Sequence, residues 1–284
     1  MKRQGGFGLS TAAGFLVTLI LLWSMACAPA SEAANSSPTS PAEKLTVFAA
    51  ISLSEAFGEI AAEFERANAG VSVNLNLAGS QRLRTQLEHG ARGDVFASAD
   101  AEQMNLAMDS RLVDGDPVIF ATNELVVIVP KGKTPGRVTS VADLGNPRIK
   151  LALALPEAPA GRYAREMISK LDIGNSEPNG QLAARIMANV ITLEPNVRAA
   201  ANKVALGEVD AGVVYATDAK AEFIANRVRV IPIPAAANVS AEYPMAVLRD
   251  AVEPRLAGEF VRFVLSSKGQ AILESHGFGP AAGP

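Results

Sequence analysis

The sequence predicts an α/β protein with parallel sheets, and two observations carry that prediction. From Lys44 to Gly277, short apolar runs with strand character alternate with segments of helical spacing. Past residue 43 no low-complexity stretch interrupts the alternation, so any two lobes must be joined through strands rather than a loose linker. Composition agrees: 49% hydrophobic and 19% charged residues describe a globular chain, and 284 residues suffice for two modest domains or one large one. Aromatics are only 5%, so the expected core is Ala, Val, Leu and Ile.

The elements follow in order. Leu45–Ala50 is a strand. Ser54–Ala67 is a helix, with Ala56, Phe57, Ile60, Ala61 and Phe64 on one face. Val71–Leu77 alternates strictly and is a strand; Gln81–His89 is a helix stopped by Gly90. Asp94–Ala97 is a short strand, Ala101–Met108 a helix, Leu125–Pro130 a buried strand and Val141–Leu144 a single turn. The second half repeats the theme. Strands are expected at Ile149–Leu155, Val190–Leu193, Ala211–Tyr215, Val228–Ile233 and Met245–Leu248. Helices are expected at Gly161–Leu171, Gln181–Ala188, Asn196–Leu206, Thr217–Ile224, Glu253–Ser266 and Lys268–Ser275.

Residues 1–26 have the layout of a secretory signal: Lys2 and Arg3, an apolar run of ten residues from Gly14 to Trp23, then small residues. The run is short for a membrane-spanning helix. Its removal changes the net charge from −3 to −5. Cys27, the single cysteine, stands where a lipoprotein carries its lipid, although Ser24 occupies the position usually held by Leu. The other reading is an ordinary signal that contains Cys27 and is cut slightly later, after Ala28 or Ala30. Residues 27–43 are rich in Ala, Ser and Pro and form a flexible tether.

Enzyme chemistry finds little support. There are two histidines, His89 and His276, and each ends a helix, where a cation suits the helix dipole. No H-E-x-x-H, G-x-S-x-G or Walker-type loop occurs, and one cysteine with two histidines nearly excludes a His/Cys metal site. No Lys/Arg-rich run suggests nucleic-acid binding. No cofactor is expected.

What recurs is a small or hydroxyl residue where a strand hands over to a helix: Ser52, with Glu55 completing an S-x-x-E capping box; Gly79-Ser80; Pro159-Ala160-Gly161; and Pro195-Asn196-Val197. A helix N-terminus offers free N–H groups and partial positive charge, and in open α/β sheets these junctions lie at the ligand-binding edge. Each alone is a routine cap; as a set they can hold an anion without Lys or Arg.

At these residues the chain resembles the periplasmic molybdate-binding proteins of ABC importers. The matching segments are LTVFAAISLSEAF, NLAGSQRLRTQLEHGARGDVFASAD, PEAPAGRYAREMISKL, NVRAAANKVALGEVDAGVVYATDA and EYPMAVL, in the family's order. The resemblance implies a two-lobed periplasmic binding protein fold of type II, each lobe a mostly parallel sheet flanked by helices and linked by hinge strands. Lobe I would be 44–124 plus 232–284, and lobe II 125–231. It implies a molybdate site made of Ser52 and Ser80 from one lobe and Ala160, Val197 and Tyr215 from the other, contacting the metal's oxygens only. The implied partners are an ABC permease with its ATPase subunits and a small oxyanion, with the protein a monomer held to the membrane, outside the cytoplasm, by the Cys27 lipid. The segment between Ala160 and Val197, around IGNSEPNGQLAARIMANV, is longer than in familiar members.

Molybdate at neutral pH is a deprotonated dianion that only accepts hydrogen bonds, and none of the five residues is acidic. Glu157, Glu194 and Asp218, close by in sequence, are expected to be solvated or capping. Charge-assisted hydrogen bonds of about 1.5–3 kcal/mol each are enough for submicromolar affinity. Tungstate, nearly the same size, is expected to bind as well. The alternatives are another tetrahedral oxyanion such as sulfate, a serine-nucleophile enzyme at Ser52 or Ser80, and a regulator's effector-sensing domain.

Overall fold

The computed structural model describes residues 43–132, 137–173 and 181–280. Every described residue belongs to one compact unit, Thr39–Pro284. The signal segment, Cys27 and nearly all of the tether lie outside the described residues.

The first strand, β1 (Glu43–Ala50), lies between two parallel neighbours, and its last four residues are all buried, which is why it reads as a continuous apolar run. A 3-10 turn (Ile51–Leu53) leads into α1 (Ser54–Ala67), whose buried residues are the five its spacing predicts. Then come β2 (Val71–Ala78), parallel to β1; α2 (Ser80–Glu88); β3 (Val95–Ala97), parallel to β1 on its other side; and α3 (Ala101–Asp109), capped by Asp100.

The strand expected at Leu125–Pro130 is the end of a much longer one, β4 (Val113–Pro130), of 18 residues. Its start was unreadable because Asp114-Gly115-Asp116-Pro117 looks like a loop. The ladder shifts register between Asp114 and Val118, Gly115 adopts φ +69°, and Pro117 has no N–H to donate.

After a 3-10 turn (Ala142–Gly145) come β5 (Leu151–Ala154), α4 (Pro159–Ile173), α5 (Gln181–Ala188), β6 (Val190–Glu194), α6 (Val197–Ala205) and β7 (Ala211–Tyr215). β5 is parallel to β6 and β7. The single helix expected at Thr217–Ile224 is two, α7 (Ala216–Lys220) and α8 (Glu222–Ala225), broken at Ala221, whose φ of −56° and ψ of 137° lie outside the helical basin. β8 (Val228–Pro232), β9 (Ser240–Leu248), α9 (Pro254–Leu265) and α10 (Ser267–Ser275) complete the chain.

The strand order is β2-β1-β3-β9-β4-β7-β5-β6, with β8 also on β4. The sheet is mixed: β9 runs antiparallel to β3 and β4, and β7 and β8 antiparallel to β4. Along β4 the partner changes. Val113–Glu124 pairs with β9, and Leu125–Pro130 pairs with β7 and β8. One half-sheet therefore holds β1, β2, β3 and β9, the other β5 to β8, and β4 threads both.

The core is less aliphatic than the composition suggests. Few as they are, the aromatics include the largest fully buried side chains, among them Tyr215, Tyr243, Phe57, Phe64, Phe96, Phe120 and Phe260. Tilted or edge-to-face contacts join Phe64 to Phe260, Phe260 to Phe57, Phe57 to Phe120, Phe120 to Tyr243, and Tyr243 to Tyr215, with centroids 5.3–6.2 Å apart. This chain of rings ends at the junction of the two half-sheets.

Candidate functional site

All five residues singled out in the sequence line one cavity. Ser52 comes from the turn after β1, Ser80 from the first turn of α2, Ala160 from the first turn of α4, Val197 from the start of α6, and Tyr215 from the carboxyl end of β7. Gly79, Ala99 and Asn196 complete much of the wall. The cavity is small, about 10 Å³, near the least that admits a water-sized sphere.

Each wall element has a local reason. Asn196 caps α6 by accepting from the Ala199 N–H at 2.9 Å, which leaves the Val197 N–H without an intrahelical partner. Ser80 does not cap α2. Its Oγ accepts from the Ala99 N–H at 3.0 Å, tying the start of α2 to the end of β3. Tyr215 donates to the Ala99 carbonyl at 3.5 Å, the limit of a hydrogen bond. Burial pushes its phenol well above the usual tyrosine range, so it stays protonated and a donor.

The capping box read at Ser52 and Glu55 does not form. α1 begins at Ser54, with Leu53 before it and no side-chain cap. Ser52 Oγ instead lies 3.0 Å from Tyr243 Oη, and Glu55 turns outward to Arg198 on the opposite half. A stronger partner from another element has won over a local one.

Asp218 is the second correction. It is not solvated: it is 0% exposed and pairs with Arg198 Nε at 2.9 Å. Burial pushes its carboxyl up to about 6, against the pull of Arg198. Glu157 is exposed, as expected, and Glu194 accepts from Thr192 Oγ1 at 2.7 Å.

Sequence reasoning missed the residues that close the rim. Arg198 grips Glu55 with both terminal nitrogens, at 2.6 and 2.9 Å. Arg162 reaches Asp100 at 3.1 Å and Glu102 at 2.9 Å. Gln81 Nε2 donates to the Pro195 carbonyl at 2.8 Å, and Gln103 Nε2 to that of Glu157 at 3.4 Å. All four join elements of the first half-sheet to α4, α6 or the turns that lead into them. Val197 next to Arg198, and Ala160 two residues before Arg162, were visible; their long-range carboxylate partners were not.

Both arginines are matched by acids, so the cavity's attraction for an anion comes from helix N-termini and hydroxyls. Ser52 also borders a wider cavity of about 280 Å³, lined in part by Glu55, Lys220, Glu222 and His276. Its two carboxylates make it the poorer place for an anion. The two histidines lie at helix C-termini, His89 against the Thr85 carbonyl at 2.7 Å and His276 against Glu59 at 2.9 Å.

The sequence pattern of the family described as bacterial extracellular solute-binding protein matches residues 45–279. The chain is 37% identical over 272 residues to the molybdate-binding protein ModA of Mycobacterium tuberculosis, covering 95% of this chain and 97% of that one. It is 31% identical over 250 residues to the putative ABC transporter substrate-binding lipoprotein YvgL of Bacillus subtilis, covering 86% and 90%. Among solved structures it is similar to the sulfate-binding protein SubI of M. tuberculosis, with a TM-score of 0.75 at 19% identity over 84% of this chain and 87% of that one. That last likeness concerns the fold alone.

Proposed function

The chain belongs to the bacterial extracellular solute-binding protein family, and from that premise we propose that it is the molybdate-binding component of an ABC importer. It binds molybdate, and tungstate with it, between two lobes and delivers the anion to a membrane permease driven by ATPase subunits. One observation carries this reading: Ser52, Ser80, Ala160, Val197 and Tyr215, drawn from five separate junctions, line a single cavity.

The donors around the cavity suit a compact dianion, which enters when the two halves part, because the closed cavity admits little more than a water. The first N–H groups of α2, α4 and α6 have no intrahelical partners and carry the positive end of each helix dipole. Two serine hydroxyls and the Tyr215 phenol add donors. In a tetrahedral oxyanion every oxygen touches one central atom, so the ion needs little room; an extended organic acid needs more. The ligand is cargo, held through its oxygens, and the work is binding rather than catalysis.

Lobe I is assigned to 44–124 plus 232–284 and lobe II to 125–231. The change of partner along β4 at Glu124–Leu125 supports that hinge. So does Asn238, whose side chain brackets Leu125, accepting from its N–H at 3.2 Å and donating to its carbonyl at 3.1 Å. The likeness to a substrate-binding lipoprotein supports the lipid on Cys27 and an extracytoplasmic, membrane-held location.

Calorimetry on the mature protein with molybdate, tungstate, sulfate and phosphate tests the assignment. Molybdate and tungstate are expected to bind at submicromolar concentration; tight sulfate binding without molybdate binding would give the site to sulfate. In the same experiment Tyr215→Phe is expected to weaken molybdate about ten- to a hundredfold, the loss of one hydrogen bond to a charged group. Its ligand-free thermal midpoint should barely move, because the bond given up to Ala99 is already long. Unchanged affinity would remove Tyr215 from the site.

A further inference from the structure

Behind Ser52 stands a chain of buried polar groups that does not reach the cavity. We propose that Tyr243 and Asn123 orient the Ser52 hydroxyl so that its proton points into the site, and that they thereby set discrimination against oxyanions that still carry a proton. The inference rests on the oxyanion reading above and deepens it.

Hydrogen-bond counting gives the direction. The Asn123 Oδ1 accepts from the Glu124 N–H at 2.9 Å, which fixes the side-chain amide. Its Nδ2 therefore faces Thr217 Oγ1 at 2.9 Å and Tyr243 Oη at 3.4 Å, and it donates to both. Tyr243 is fully buried, and burial pushes its phenol far above the usual range, so it keeps its one proton. Having accepted from Asn123, Tyr243 has Ser52 Oγ at 3.0 Å as the partner for that proton.

The opposite arrangement, with Ser52 donating to Tyr243, would leave the phenol proton without an acceptor beside a buried ring that packs against Phe120, Tyr215 and Phe278. A buried donor without an acceptor is costly. Tyr243 therefore donates, Ser52 Oγ accepts, and the Ser52 proton is left for the cavity. Ser80 is polarised the same way, because its Oγ accepts from the Ala99 N–H. The cavity thus presents donors: helix N–H groups and two hydroxyls, each with one lone pair engaged from behind.

A fully deprotonated tetrahedral dianion meets those donors with acceptors alone. Monohydrogen phosphate must place one O–H against another donor, and that unmatched pair disfavours it. Tyr243 and Asn123 touch no ligand, so they are positioning residues that act through Ser52.

The test measures dissociation constants for molybdate, sulfate and phosphate by calorimetry at pH 7.5, in the native protein and in Tyr243→Phe and Asn123→Asp. Phenylalanine keeps the ring packing and frees the Ser52 hydroxyl to turn. Aspartate replaces a donor by an acceptor, draws the Tyr243 proton to itself and leaves a Ser52 lone pair facing the site. The expected readout is the ratio of the phosphate to the molybdate constant, which cancels any general effect of the added charge. It should fall about tenfold or more in Tyr243→Phe and further in Asn123→Asp, with sulfate following molybdate. Equal weakening of all three anions, or an unchanged ratio, would overturn the inference. Absence of binding by all three to the native protein would instead overturn the oxyanion reading, and this proposal with it.

Discussion

Gly161→Ala is expected to abolish tight ligand binding, although it adds only one uncharged methyl group. Gly161 is the third residue of α4, next to Ala160 on the cavity wall. A Cβ there would stand 1.9 Å from the Leu155 carbonyl oxygen and 2.5 Å from that of Ala154. Both are backbone atoms at the end of β5, a strand held on each side by β6 and β7. Arg165 fastens the same corner, donating to the carbonyls of Ala154 at 3.2 Å and Gly161 at 2.7 Å. With the strand fixed, the start of α4 must move outward and carry the Ala160 N–H away from the ligand. Overpacking of this kind costs about 1–3 kcal/mol, and more where backbone must yield. The expected result is a lower thermal midpoint and a molybdate dissociation constant raised about a hundredfold or more, because the donors lose their shared focus. Gly58→Ala is the control: its Cβ meets nothing within 4 Å in the middle of α1, and it should add about 0.5–1 kcal/mol of stability without touching affinity. A Gly161→Ala protein that binds like the native one would show that α4 does not define the site.

The strand-to-helix junctions were legible because each is written locally. Asn196 caps α6 within three residues, and Pro159 and Gly79 open their helices by their own backbone preferences. What the sequence hid depends on topology. The first twelve residues of β4 look like a loop until β9 is laid beside them. Tyr243 falls within a recognisable segment, EYPMAVL, yet its role appears only when β9 brings its hydroxyl against Ser52. Glu55 and Arg198 are 143 positions apart, so nothing local ranks that pairing above the S-x-x-E cap. Buried partners of this sort share no spacing rule, and only the fold introduces them.

Arg198 gives the other large effect. It hangs on the first turn of α6, beside Val197 on the cavity wall. Its Nε is anchored to the buried Asp218, while its terminal nitrogens hold Glu55, three residues beyond Ser52. It thus fastens the rim between the two halves beside two residues of the cavity wall, Ser52 and Val197. The hydrogen bonds from Arg198 hold the Glu55 carboxyl below the usual carboxylate range. Arg198→Ala leaves Asp218 buried with no counter-charge. Breaking a buried pair in this way costs about 3–5 kcal/mol, or roughly 6–20 °C in thermal midpoint for a domain of this size. Release of the bound anion should quicken about tenfold, equivalent to about 1.4 kcal/mol of lost closure. Burial already raises the Asp218 carboxyl from 3.8 to about 6. Between those values the folded protein binds a proton that the unfolded chain does not, so this group's contribution to stability falls as pH rises. Without Arg198 the folded value climbs further, and the variant should keep losing stability as pH rises above 6. The double variant Arg198→Ala/Asp218→Asn separates the two roles. It should recover most of the midpoint and lose the pH dependence, because no charge is stranded, yet still release the anion quickly, because Glu55 has nothing to hold. Native release rates in Arg198→Ala would mean that closure at this rim does not depend on the arginine.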